Sequence, residues 1–411
     1  MTLDTADLVD RRIPGRSLEA PFYASREVFD LDLAAVWTRQ WIFVAAEGEL
    51  PEPGDYVTAA IGPYSIIVVR DDDENLTALH NVCRHRGARI LTEERGSVGN
   101  IVCGYHKWTY RTDGSLLHAP AQDGGFDPAC FGLKTVHVRS VGGLVFVCLA
   151  EDPPPDFAEV ASRIEPYLLP HRLREAKVAA RVDLVEDCNW KLTMENNREC
   201  YHCDGHPELV RSFFPTYGYR EDQLPPPLRP AYERYCRVRA ELRETYDRLG
   251  LPYETIEELT RPSGFRIERE PLDLAGESFT PDGTAACRRL LADFPTARLG
   301  HLSLHWQPNA WFHVLSEHAI TFAVLPIAPD RTLLRTTWLV HPDAEEGVDY
   351  DLGRLTKVWT ATNEQDADLV TRAQCGITSP AYEPGPYAPS EYQVDAFCTW
   401  YLTRLREHLR R

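Results

Sequence analysis

Cys83-Arg84-His85-Arg86-Gly87 and Cys103-Gly104-Tyr105-His106-Lys107-Trp108-Thr109-Tyr110, with Asp113-Gly114 as a following turn, decide how the rest of the chain is read. Each segment offers one thiolate and one imidazole close together, so the two segments supply four ligands of a metal site. Two chemistries take that set. One is a structural zinc held by two Cys and two His; the other is a [2Fe–2S] cluster with two Cys on one iron and two His on the other. The ligands under either are Cys83, His85, Cys103 and His106.

Around these segments lie short β-branched runs at 56–61, 65–69, 76–81, 101–102, 135–139 and 143–149, separated by Gly, Pro or Asp. They predict a small all-β domain over 41–152, preceded by a helical segment over 1–40. The stiff polar stretch Glu151-Asp152-Pro153-Pro154-Pro155-Asp156 suits a domain border. Beyond it, helical patterns at 157–168, 190–202, 232–249, 352–371 and 394–409 alternate with strand patterns at 179–186, 301–306, 311–316, 319–327 and 333–341. Successive strands with short links between long helices predict an α+β domain over 157–411, built on an antiparallel sheet.

That second domain holds Asn189-Trp190-Lys191-Leu192-Thr193-Met194-Glu195-Asn196-Asn197-Arg198-Glu199-Cys200-Tyr201-His202-Cys203-Asp204-Gly205-His206. Read as helix, it puts His202 and His206 on one face. Asn363-Glu364-Gln365-Asp366 offers a carboxylate on another helix. Two His and one carboxylate on one face of iron leave positions open for dioxygen. Alone, two nearby histidines in a helical stretch are more often ordinary polar residues.

The two cysteine–histidine segments look like the cluster loops of Rieske domains. With the Asn-Trp-Lys, Glu-x-x-His and late Asn-x-x-Asp that follow, the chain resembles the α subunits of Rieske non-haem iron oxygenases over nearly its full length. The resemblance implies a Rieske domain inserted in or preceding a helix-grip (START-like) catalytic domain, and a homotrimer in which each cluster serves the neighbour's iron. It assigns Cys83, Cys103, His85 and His106 to the cluster, and His202, His206 and Asp366 to Fe(2+). Glu199 matches the acidic bridge between a cluster histidine and an iron histidine. Two departures stand out: family members usually carry Gly in place of Lys107, which bears on docking of the electron donor, and three residues rather than four separate His202 from His206.

Glu199 itself, Trp338-Leu339-Val340-His341, Gly347-Val348-Asp349-Tyr350 and Ser379-Pro380-Ala381-Tyr382-Glu383-Pro384-Gly385-Pro386-Tyr387 are similar to the glycine betaine monooxygenase and stachydrine demethylase branch. The implied reaction is oxidative N-demethylation of a small amine or quaternary ammonium compound, using O2 and electrons from an NAD(P)H-dependent flavin and iron–sulfur reductase. The same centres in other members oxidise amino nitrogen or hydroxylate aromatic rings. Aromatic faces hold a quaternary ammonium by cation–π attraction, each worth up to about 2 kcal/mol when desolvated. Trp306, Trp311, Phe312 and His313, with Tyr201, are the expected pocket residues, although strands favour aromatics without any ligand.

Composition narrows the classes further. The 411 residues are 43% hydrophobic and carry a net charge of −18, which disfavours nucleic acid and anionic membranes. Met1-Thr2-Leu3-Asp4 opens with an acid before any apolar run, no apolar stretch reaches membrane-spanning length, and no nucleotide-binding glycine motif follows a strand. A cytoplasmic protein is expected, with Cys130, Cys148, Cys236, Cys287 and Cys398 as buried thiols. From a different class, the residues also fit a zinc-stapled protein that holds a small ligand without reaction. Metal analysis separates the two: the oxygenase is expected to be brown with about three irons per chain, and the zinc protein colourless.

Overall fold

The structure, a computed structural model, describes residues 4–410 apart from 124 and 217–220. The first sheet has seven strands in the order Ile42–Ala46, Leu144–Cys148, Thr135–Val141, Leu76–His80, Tyr64–Arg70, Asp55–Ile61 and Arg95–Ser97. Ile42–Ala46 is buried throughout, so it lacks the alternation that marks a strand in the sequence. A smaller sheet of Ile101–Val102, Thr109–Tyr110 and Leu116–His118 carries the Cys103 loop.

The second large sheet is antiparallel, with seven strands in the order Lys177–Glu186, Arg331–Val340, His318–Ala328, Ala310–Val314, His301–Trp306, Phe265–Glu270 and Ile256–Glu258; the last six form a meander and Lys177–Glu186 pairs with its final strand in chain order, Arg331–Val340. Its central strands are almost wholly buried. The long helix Leu352–Ile377 packs on this sheet, started by Asp351, whose carboxylate accepts from the Arg354 N–H at 2.8 Å. This is the α+β architecture expected.

The two units meet along a polar seam within an apolar core. Asn309 bonds both backbone groups of Phe43, at 3.0 and 2.9 Å, and the Trp306 indole donates to the Trp41 carbonyl at 2.8 Å. Trp306 therefore belongs to the domain seam, among Phe146 and Phe157, rather than to a ligand pocket.

The N-terminal helices lie against the catalytic unit around a buried charged pair, with Arg12–Asp395, Asp10–Arg406 and Tyr23–Glu195 as further contacts. Asp32, fully buried, pairs with Lys191 and accepts from Trp190 Nε1 at 3.0 Å and from Tyr401 Oη at 2.5 Å. Removing one member of such a pair leaves the other charge buried and uncompensated. Lys191→Met is therefore expected to cost about 3–5 kcal/mol of stability, read as a lower urea midpoint; a midpoint equal to the parent chain's would refute this account.

Candidate active site: two metal-ligand constellations

Cys83 and Cys103 begin two loops of matching design. Gly87 N–H donates to the Cys83 carbonyl and Lys107 N–H to the Cys103 carbonyl, each at 3.0 Å, and both donors take left-handed φ values of 75° and 59°. A non-glycine residue in that conformation costs about 1–2 kcal/mol, so Lys107 stands where backbone geometry favours glycine. The cysteines are buried, while His85 is exposed and His106 partly so; their rings meet edge to face with centroids 4.5 Å apart. Trp108 stacks on His85 at 5.0 Å. Tyr110 Oη lies 3.3 Å from Cys83 Sγ and accepts from the Arg84 N–H at 3.0 Å, leaving its own proton for the sulfur.

The second constellation forms differently from the sequence expectation. The helix that Asn189 caps runs only over Trp190–Asn196, because Asn196 and Asn197 favour turns over continued helix. His202 and His206 instead flank the single 3-10 turn Cys203–Gly205. They converge without a shared helical face, at 5.2 Å between ring centroids. Asp366 reaches them from Leu352–Ile377: its Oδ1 lies 2.7 Å from His206 Nε2 and 3.2 Å from His202 Nε2. Glu199 Oε1 lies 2.5 Å from His202 Nδ1, and the other Glu199 oxygen accepts from the Tyr201 N–H. That contact suits Nδ1 as donor and leaves Nε2 facing Asp366.

Electrostatics follow the geometry. Burial works against the charged His202 imidazole, yet hydrogen bonds with Asp366 and Glu199 lift it to about 10. Burial also opposes the Asp366 charge, but both histidines hold its carboxyl below the usual range. Nearby, burial lifts Glu186 to about 7.

The trio suits one metal ion, since its ligand atoms all lie within 4.8 Å of one another. Among the described residues it is the only such trio.

A cavity of about 60 Å³ opens at the trio. Trp311 and His313 line it; Phe312, between them, points to the opposite face of the sheet against Phe43. Trp306 faces the domain seam, and Tyr201 is 63% exposed outside the cavity. The expected pocket set is thus corrected to Trp311 and His313, joined by Trp359, His305 and Phe213, which the sequence reading missed. Trp359 stacks on His313 at 4.5 Å from the covering helix. Asn196 was missed as well: its amide bonds Asp366 Oδ1 at 3.2 Å. Its signal was its place in the Asn196-Asn197 pair just before Glu199.

The cysteines also depart from expectation. Cys200 and Cys203 form a disulfide beside His202, and Cys130 and Cys236 are exposed thiols, whereas Cys148, Cys287 and Cys398 are buried as expected.

Residues 40–138 match the family described as Rieske [2Fe-2S] domain, and residues 173–407 match ring hydroxylating alpha subunit (catalytic domain). The chain belongs to the Rieske oxygenase α-subunit family. This Rieske oxygenase is 42% identical over 409 residues to the glycine betaine monooxygenase oxygenase subunit of Chromohalobacter salexigens, covering 98% of this chain and 89% of that one. It is 34% identical to the carnitine monooxygenase oxygenase subunit of Escherichia coli over 200 residues, 46% of this chain and 52% of that one. The solved structure of the quaternary ammonium Rieske monooxygenase CntA with gamma-butyrobetaine shares the fold, with a TM-score of 0.68 at 21% identity over 97% of this chain and 98% of that one. The oxygenase is an oxidoreductase, and its two domains take a [2Fe–2S] cluster and a mononuclear iron.

A hydrogen bond to a cluster sulfur favours the reduced, more negative state. Tyr110→Phe is expected to lower the cluster potential by roughly 40 mV, the one-electron equivalent of about 1 kcal/mol, in voltammetry of the purified oxygenase. An unchanged potential would show that the Tyr110 proton does not serve Cys83.

Proposed function

We propose that this chain is the terminal oxygenase of a two-component monooxygenase that removes a methyl group from a small amine or quaternary ammonium substrate. The observation that carries the reading is the cavity at His202, His206 and Asp366. Its Trp311, Trp359 and Phe213 faces suit a cation. The 42% identity to a glycine betaine monooxygenase subunit supports the same choice.

Cys83, Cys103, His85 and His106 would hold the cluster, and His202, His206 and Asp366 the iron. The cluster, when bound, supplies single electrons, and the iron supplies dioxygen activation. Glu199 fixes the His202 tautomer and, with Asn196, keeps the imidazole and carboxylate in place. One oxygen atom enters an N-methyl C–H bond and the other leaves as water; the hydroxymethyl amine then releases formaldehyde.

Electrons would come from an NAD(P)H-dependent flavin and iron–sulfur reductase. A homotrimer is proposed from the family resemblance, and the charges on the two faces suit it. His85 is exposed among the basic residues Arg84, Arg86, Arg89 and Lys107, while the outer rim of the iron site exposes Asp204, Glu364 and Asp368. A head-to-tail arrangement would pair the two surfaces and bring the cluster of one chain to Glu199 of the next. The domains are read as 1–40, 41–152 and 157–411. A cytoplasmic setting is proposed from the free thiols, nine against the two cysteines of the Cys200–Cys203 disulfide; among the described residues no helix is long and apolar enough to cross a membrane.

The deciding experiment supplies a surrogate reductase and a panel of methylated amines, scoring formaldehyde against nitrogen-oxygenated and ring-hydroxylated products by mass spectrometry. Formaldehyde from a quaternary or tertiary amine is expected. Asp366→Ala is expected to abolish it, with the cluster's visible absorption unchanged. Loss of both signals would defeat the two-site assignment; nitrogen oxides as the main product would defeat demethylation.

A further inference from the structure

Outside the iron cavity lies a second one of about 240 Å³, bounded by the helix Arg229–Leu249 and the strands Phe265–Glu270 and His301–Trp306. Phe213 lines both cavities. Beside it, His301 of the outer cavity packs against His313 of the inner one at 5.2 Å, and Phe213 lies 5.5 Å from His301 and 6.4 Å from His313. The partition is therefore one ring thick at Phe213 and two rings thick at the histidines. His301 is 1% exposed, and neither ring nitrogen has a hydrogen-bond partner. Burial holds its pKa down at about 3, so the ring is a neutral donor and acceptor without a partner in the protein.

The outer cavity is furnished for two opposite charges. Tyr232 and Tyr235 stack at 5.9 Å, Phe214 packs edge-on to Tyr235 at 5.7 Å, and Tyr235 Oη donates to Glu270 Oε2 at 2.7 Å. Aromatic faces backed by a carboxylate attract an ammonium group. Two guanidinium groups also line the space. Arg266 is committed to Glu257 and Glu268, whereas Arg239, 5.8 Å from the Tyr235 ring, acts on the Glu270 carboxylate from beyond ion-pair distance and is in direct ion-pair contact with no carboxylate among the described residues. It is placed to take an anion.

We propose that this outer cavity is a receiving site, in which a zwitterionic substrate is held with its ammonium on Tyr232 and Tyr235 and its carboxylate on Arg239 before it passes Phe213 to the iron cavity. The inference rests on the amine reading above. Moving a zwitterion straight from water into a cavity of about 60 Å³ strips both charges at once. An intermediate station replaces water by aromatic faces and a guanidinium first. His301 then offers a hydrogen bond at the partition.

The test is steady-state kinetics of the holoenzyme with a surrogate reductase, using glycine betaine as the zwitterion and tetramethylammonium as a competing cation without a carboxylate. Arg239→Gln is expected to raise the KM for glycine betaine about tenfold, with kcat within about twofold and the Ki of tetramethylammonium unchanged. Tyr232→Ala is expected to raise both the KM and the Ki. A purely structural role would not separate the two ligands in this crossed way. An unchanged KM in Arg239→Gln, a fall of kcat and kcat/KM together, or an unchanged Ki in Tyr232→Ala overturns the receiving site alone. Absence of formaldehyde from glycine betaine with the parent enzyme overturns the receiving site and, if no other methylated amine yields it, the proposed function as well.

Discussion

The buried pair of Asp32 and Lys191 carries more of this structure than its size suggests. The helix Trp190–Asn196 has seven residues, too few to persist by itself in water. It holds its place because Lys191 is pinned to Asp32, Asn189 N–H donates to Gln374 Oε1 at 2.9 Å, and Asn189 Nδ2 donates to the Pro329 carbonyl at 2.7 Å. Three distant parts of the chain thereby fix one short helix. The loop bearing Glu199, His202 and His206 leaves from its end, so the position of the imidazoles is inherited from a contact with the N-terminal segment.

What could be read in advance divides along the same line. The cluster loops are local: each carries one cysteine and one histidine within a few residues, so the expectation of Cys83, His85, Cys103 and His106 as metal ligands follows from spacing. Asp366 was legible only through resemblance, since 160 residues separate it from His206 and nothing in its own segment points to a partner. The helix end was misplaced because the stretch from Glu195 to His206 has no Pro and no Gly before Gly205, whereas the two asparagines and the tight turn decide it in the folded chain. Pocket aromatics were the hardest. On Ala310–Val314 and His301–Trp306, alternate side chains face either the iron cavity or the domain seam, and the sequence does not say which face is which. Trp311 and His313 fell on one side, Phe312 and Trp306 on the other.

Charge is unevenly spread in a way that composition hides. A chain of net charge −18 surrounds its cluster histidines with Arg84, Arg86, Arg89 and Lys107. Arg86 also lies over the Tyr105 ring at 5.1 Å, which keeps one of these cations beside the loop. The left-handed backbone at Lys107 makes the lysine costlier than a glycine, so its charge there is bought against the geometry of the loop.

Trp306 closes the account of the seam. Its indole donates to the Trp41 carbonyl and packs on Phe146 at 4.6 Å, so its surroundings are made jointly by both units and by neither alone. Were the units to part, this ring would pass from a dry cleft to water and its emission would shift to the red. The fold thus carries its own optical reporter of the join between its halves, one ring among the nine tryptophans of the chain.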